Sequence, residues 1–153
     1  MENQVRDLEK RAGKGNSDAQ YQLGILYYIG IGVSQDFAKA FHWFKKAAAK
    51  GNIGAQLHLG NLYDEGHGVP QDYGLARQWW EKAAAKGDPD AQYSLGELYE
   101  QGKGVAPDLE KALEWYQKAC EAGDEEACEA YEKLVELMEL ESQDTEEGPE
   151  NDV

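Results

Sequence analysis

The sequence predicts an all-α solenoid of stacked antiparallel helix pairs. Three observations lead there. Gly15, Gly51, Gly87 and Gly123 recur every 36 residues, and a fixed period of this size is the signature of repeated supersecondary units. Each period holds two stretches with apolar residues at helical spacing, parted by Gly-x-Gly-Val. Ala, Leu, Glu, Lys and Gln dominate over Val and Ile, and only 4 residues are Pro, a composition that favours helix.

Taken in order, residues 1–14 read as an N-terminal capping helix. Leu8, Lys10, Ala12 and Lys14 fall in register with Phe44, Lys46, Ala48 and Lys50, the end of a second-type helix. Repeats follow at 15–50, 51–86 and 87–122. In the first, helix A covers about 17–28, with Ala19, Leu23, Leu26 and Tyr27 on one face. The loop Gly30-Ile-Gly32-Val33 breaks it, since Gly accepts the left-handed conformation that ends helices. Asp36 is placed to cap helix B, as are Asp72 and Asp108 in the later repeats. Helix B carries Ala40, Trp43, Phe44 and Ala47 on one face and stops at Gly51. Asp88-Pro89 opens the third repeat with a cap residue and a first-turn Pro.

Gly24, Gly60 and Gly96 stand inside helix A, where Gly costs about 1 kcal/mol against Ala. Three recurrences imply a close approach by helix B that leaves no room for a Cβ. Trp43, Trp79 and Trp115 recur at one position and are expected to pack in the core. Residues 123–140 read as a C-terminal capping helix, half a repeat, with Glu132 at the glycine position. Residues 141–153 have no apolar period and are expected to be a disordered acidic tail.

The 153 residues carry a formal charge of -15, unevenly spread. From Gly123 onward there are thirteen acids and one base, Lys133, so the body is close to balance. Such a surface repels nucleic acid and anionic lipid, and any partner drawn from a distance should be basic. No apolar run approaches the length of a membrane span, and no secretory leader is visible. The expectation is a cytoplasmic monomer without membrane, nucleic acid, metal or cofactor; a removed leader would make it periplasmic or secreted.

The pattern Ala-x-x-x-Leu-Gly-x-Leu-Tyr, Gly-x-Gly-Val-x-x-Asp and Lys-Ala-x-x-Trp-x-x-Lys-Ala-Ala closely resembles the Sel-one-like repeat, a relative of the tetratricopeptide repeat. It covers about residues 8 to 137; Gly74 replaces a Lys usual in the helix B motif. The resemblance implies a right-handed superhelix with helix A on the concave side. It also implies adaptor or scaffold work in protein complexes, many of them bacterial, including signalling, host interaction and toxin neutralisation.

If helix A lines the inner wall, its variable stripe forms a groove. The stripe holds Gln22, Ile25 and Ile29, then His58, Asn61 and Glu65, then Ser94, Glu97 and Gln101. It grades from apolar to acidic, suited to a peptide with an apolar anchor followed by basic residues. Tyr28 adds an aromatic where the other repeats have Asp64 and Glu100, and Ile31 stands opposite His67 and Lys103. This N-terminal patch reads either as an anchor pocket or as the surface that the first helix covers.

Catalytic chemistry finds little support. The Gly-x-Gly-Val loops join helices and lack the strand that a phosphate-binding fingerprint needs. His42, His58 and His67 lack metal-ligand spacing, and no nucleophile motif is present. Cys120 and Cys128 resemble a pair of the family's cysteine-rich secreted branch, where such pairs bridge adjacent helices and β-lactam binding or hydrolysis has been proposed. Two free thiols in a reducing cytoplasm are the expectation; oxidised, the pair would lock the C-terminal helix onto the third repeat. The leading functional expectation is a module binding another protein or peptide. The alternatives are an acidic immunity-type inhibitor of a basic toxin or enzyme, and a β-lactam-acting protein of the cysteine-rich branch.

Overall fold

The computed structural model describes residues 1–146. Among them are eight helices and no strand: α1 (Glu2–Gly13), α2 (Ser17–Ile29), α3 (Phe37–Ala49), α4 (Ile53–Glu65), α5 (Tyr73–Ala85), α6 (Pro89–Gln101), α7 (Leu109–Glu121) and α8 (Glu125–Glu146). Each packs on its neighbours in sequence, which is the contact pattern of a solenoid. The A helices are α2, α4 and α6, and α8 occupies the next A position. The B helices are α3, α5 and α7, with α1 at the B position before them.

Side-chain caps set the starts. Asn16, Asn52 and Asp88 accept from the amides of Ala19, Ala55 and Ala91 at the A helices. Asp36, Asp72 and Asp108 accept from Lys39, Leu75 and Lys111 at the B helices, as the sequence predicts. The A helices stop at Gly30, Gly66 and Gly102, each with a positive φ (83°, 68° and 68°). At α8 the matching position is Met138, so nothing stops the helix there. It runs on to Glu146, six residues past the expected limit, helped by Ser142 Oγ donating to Met138 O (2.8 Å). The rest of the expected disordered tail, 147–153, lies outside the described residues.

The mid-helix glycines have the role that their recurrence implies. A Cβ on Gly24 would lie 2.6 Å from the Phe44 ring, one on Gly60 2.3 Å from Trp80, and one on Gly96 2.4 Å from Tyr116. In each repeat an aromatic ring of helix B lies directly on the helix A backbone. Phe44, Trp80 and Tyr116 are accordingly buried. The other ring position differs from expectation. Trp43, Trp79 and Trp115 are only half-buried. Each fills the joint to the preceding unit, and Lys46, Lys82 or Lys118 covers its open face at 5.2, 4.4 and 4.5 Å.

The joints between repeats share one polar clasp. Gln20, Gln56 and Gln92, all buried, donate Nε2 to the carbonyls of Ala12, Ala48 and Ala84 (3.1, 3.4 and 3.3 Å). The donor is always eight residues beyond the acceptor, across a B-to-A turn. At the last joint the same two positions are Cys120 and Cys128, and they are joined as a disulfide with Cα atoms 4.7 Å apart. This corrects the expectation of free thiols. The turn that carries Gln Nε2 to a carbonyl elsewhere brings two Cβ atoms within bridging distance here.

The ring contact yields a paired test. Gly60→Ala should lower the urea midpoint, by about 1–3 kcal/mol in stability, because overpacking outweighs the gain in helix propensity. Gly13→Ala, whose new methyl meets nothing within 4 Å, should leave stability unchanged or raise it. Equal effects from both would show that the ring does not need the missing Cβ.

Candidate functional site

The A helices form one wall. α2 and α4 are the alternate helices in closest touch, and the rings of Tyr21 and Tyr28 on α2 lie 5.8 and 5.7 Å from the His58 ring on α4. This approach packs α2 against α4 directly, besides the contact that each makes with α3.

The structure divides the stripe into committed and open side chains. Tyr28 packs edge-on against Phe37 (5.5 Å) and His58, so it belongs to an internal aromatic cluster. His58 lies 4.9 Å from the Phe44 ring, with its Nδ1 2.8 Å from Gly54 O. Asn61 accepts from Trp80 Nε1 at 3.0 Å and so fixes the ring that lies on Gly60. These three shape the wall more than they offer free contacts. Gln22, Ile29, Glu65 and Gln101 are exposed, and Ser94 and Glu97 are half-buried.

The N-terminal patch stays open. α1 seats Val5 and Ala12 on Ala19 and Leu23, with Leu26, Tyr27, Val33 and Trp43 around them. It therefore covers a different face from the one carrying Ile25 and Ile29. Ile29 is 53 % exposed and Ile31 50 %. Leu8, Tyr21, Gln22, Ile25 and Leu26 border an open, mainly apolar depression of about 420 Å³. Leu8 and Tyr21 are additions that the stripe pattern missed. Leu8 lies outside the repeats, and only the seating of α1 brings it beside Ile25.

The far end is acidic. Glu97, Glu100, Glu126 and Glu129 line a recess of about 400 Å³ with Tyr93, Tyr116, Ala130 and Lys133. Burial holds the Glu97 carboxyl above its usual range, and nearby Asp64 and Glu100 add to this against the hydrogen bond from Tyr93 and the charge of Lys103. Burial likewise raises Asp88, partly offset by the Ala91 amide. Tyr93 is pushed up to about 12, first by burial and then by Glu97. Tyr116 donates to Glu100 and is raised further, again chiefly by burial. Lys103 of the third repeat reaches across to Asp64 of the second at 3.4 Å. Among the described residues no group of three or more His, Cys, Asp and Glu is arranged to hold a metal ion.

Three consecutive segments, residues 17–52, 53–88 and 89–124, match the Sel1 repeat model. The chain superposes with TM-score 0.77 on c5321, a protective antigen present in uropathogenic Escherichia coli strains displaying an SLR fold. The two are 43 % identical over 79 % of this chain and 26 % of the antigen. A Sel1 repeat protein from Oxalobacter formigenes matches with TM-score 0.74 and 41 % identity, over 85 % of this chain and 98 % of that one. Forty residues are 50 % identical to HRD3A of Arabidopsis thaliana, an ERAD-associated E3 ubiquitin-protein ligase component; they make up 26 % of this chain and 6 % of that protein. The chain thus spans a small fraction of that relative and about a quarter of the antigen.

The raised Glu97 gives a signed pH dependence. Its folded pKa lies above the unfolded one, so its contribution to stability is present below the ordinary carboxylate range and lost as pH rises through the raised value. Glu97→Gln should therefore have a higher urea midpoint than the parent protein at pH 7, and the difference should vanish below about pH 4. A variant less stable at pH 7 would show that the carboxylate is a net stabiliser.

Proposed function

The chain belongs to the Sel1 repeat family, whose members bind other proteins, and from that premise we propose that it holds a partner polypeptide along the inner wall made by α2, α4 and α6. The partner's aliphatic side chain sits beside Leu8, Ile25 and Ile29, and its Lys or Arg side chains lie toward Glu97 and Glu100.

One observation carries this reading above the others: the separation of charge between the two kinds of helix. α2, α4 and α6 contain no Lys or Arg, yet bear Asp18, Asp64, Glu65, Asp90, Glu97 and Glu100. The B helices hold Lys39, Lys45, Lys46, Arg77, Lys82, Lys111 and Lys118. A wall with carboxylates of one sign attracts a basic chain and repels an acidic one, which gives selectivity and a fast approach. The half-buried Glu97 carboxylate, already stripped of part of its water, gains more from an incoming cation than a fully solvated one would. The packed repeats keep the wall in shape before binding, so little ordering cost falls on this side of the interface.

An acidic inhibitor of one basic protein is the narrower form of the same reading, favoured by the excess of carboxylates from Gly123 onward. It differs in demanding a single folded partner, where the groove reading accepts a short segment. We assign the wall no catalytic step.

Panning a random peptide display library on the full chain separates these cases. Enriched peptides should pair an aliphatic residue with two or more Lys or Arg, and their affinity should fall as salt rises. Ile29→Asp, at an exposed position, should weaken binding on the order of tenfold with unchanged helicity, as should Glu97→Gln joined to Glu100→Gln. Acidic or purely apolar peptides, or affinity indifferent to both changes, would refute the groove. Failure of every short peptide, together with tight salt-sensitive capture of one basic protein, would favour the inhibitor form.

A further inference from the structure

The last joint of the solenoid is built differently from the three before it. At those joints a buried Gln amide donates to an Ala carbonyl eight residues earlier. At the fourth, Cys120 stands at the Ala position and Cys128 at the Gln position, and a disulfide replaces the hydrogen bond. A reduced cysteine does not take over the role of the lost amide. Its side chain is far shorter than that of Gln, and S–H is a weak donor. Once reduced, the α7–α8 joint has neither clasp.

This joint also has the least to fall back on. α4 and α6 are each held between two B helices, whereas no B helix follows α8 among the described residues. α8 rests chiefly on α7, through Leu134, Tyr131 and Met138 against Ala112, Tyr116 and Leu113. At the mid-helix glycine position it carries the exposed Glu132, so no ring is seated there. Both cysteines are only half-buried, within reach of a reductant.

We propose that Cys120–Cys128 is a thiol-exchange site whose reduction by a dithiol frees α8 from α7. The step balances. One thiolate of the dithiol attacks a sulfur of the pair, breaking the Sγ–Sγ bond and forming a mixed disulfide. The second thiolate displaces that bond and closes a disulfide within the reductant. Two electrons pass to the pair, and each cysteine takes up a proton. Glu126 and Glu129 of α8 form one side of the acidic recess, with Glu97 and Glu100 on the other. Release of α8 therefore removes half of its carboxylates. Under the groove reading, on which this consequence rests, reduction weakens the hold on a basic partner.

The test is amide hydrogen exchange of the full chain, oxidised and after dithiothreitol. Exchange across residues 125–140 should accelerate on the order of tenfold or more on reduction, while α2 to α5 stay unchanged. Cys120→Ser with Cys128→Ser should match the reduced protein. Cys120→Ala with Cys128→Gln rebuilds the clasp used elsewhere, and should keep α8 protected with or without dithiothreitol. Equal exchange in oxidised and reduced protein would overturn the proposal, as would an Ala/Gln protein as loose as the Ser pair. Hexalysine binding reads the consequence separately. Loss of affinity in dithiothreitol supports control of the recess, and unchanged affinity with a loosened α8 refutes that control. If hexalysine binds neither form, the groove reading fails, and exchange alone still decides the clasp.

Discussion

Everything in this fold depends on the bare backbone at Gly24, Gly60 and Gly96. A ring from helix B lies where a Cβ would stand, closer than any side chain at that position would allow. The contact sets the spacing and rotation of the two helices in a repeat. Because interiors are close-packed, neighbouring groups have little freedom once this distance is set. Asn61, held by the Trp80 indole, shows how the inner wall inherits its shape from that contact. The helix propensity lost at three glycines is the cost of it, and burial of an aromatic ring in each repeat more than offsets it.

The joints between repeats rest on a different device. Beside the tryptophan at each of the first three joints, the turn itself is lined by buried Ala, and there a buried Gln amide reaches a backbone carbonyl. Each of those Gln side chains keeps its Oε1 without a protein partner. The amide is thus matched on its donor side at the first three joints, and the fourth uses a covalent bond in its place. Its geometry needed no new backbone, only a pair of side chains at positions already facing each other. A helix with one supporting neighbour among the described residues is where a covalent clasp changes docking most.

Charge follows the same division of labour. B helices place Lys side chains over half-buried tryptophans, using both the aliphatic stem and the ammonium. A helices expose carboxylates and no cations, and burial at the acidic end leaves Glu97 harder to ionise than a free glutamate. Under the proposed groove reading, such an arrangement stabilises the isolated chain less than it readies the surface for a positive group. Stability given up at a surface position is the usual companion of a binding site.

Periodicity alone determined the helix pairs, their caps at Asp36, Asp72 and Asp108, and the need for close approach at the glycines. These follow from local chemistry and from a repeat that compares each residue with its counterparts. Three things were decided only by tertiary packing. Tyr28 and His58 left the groove because rings from α2, α3 and α4 meet there, a contact between residues far apart in the chain. Leu8 joined it because α1 seats beside Ile25. Cys120 and Cys128 bonded because the turn between α7 and α8 brings their Cα atoms to 4.7 Å, a distance that spacing of eight residues does not specify. Local pattern states which residues can face one another; only the packed chain states which of them are already in contact.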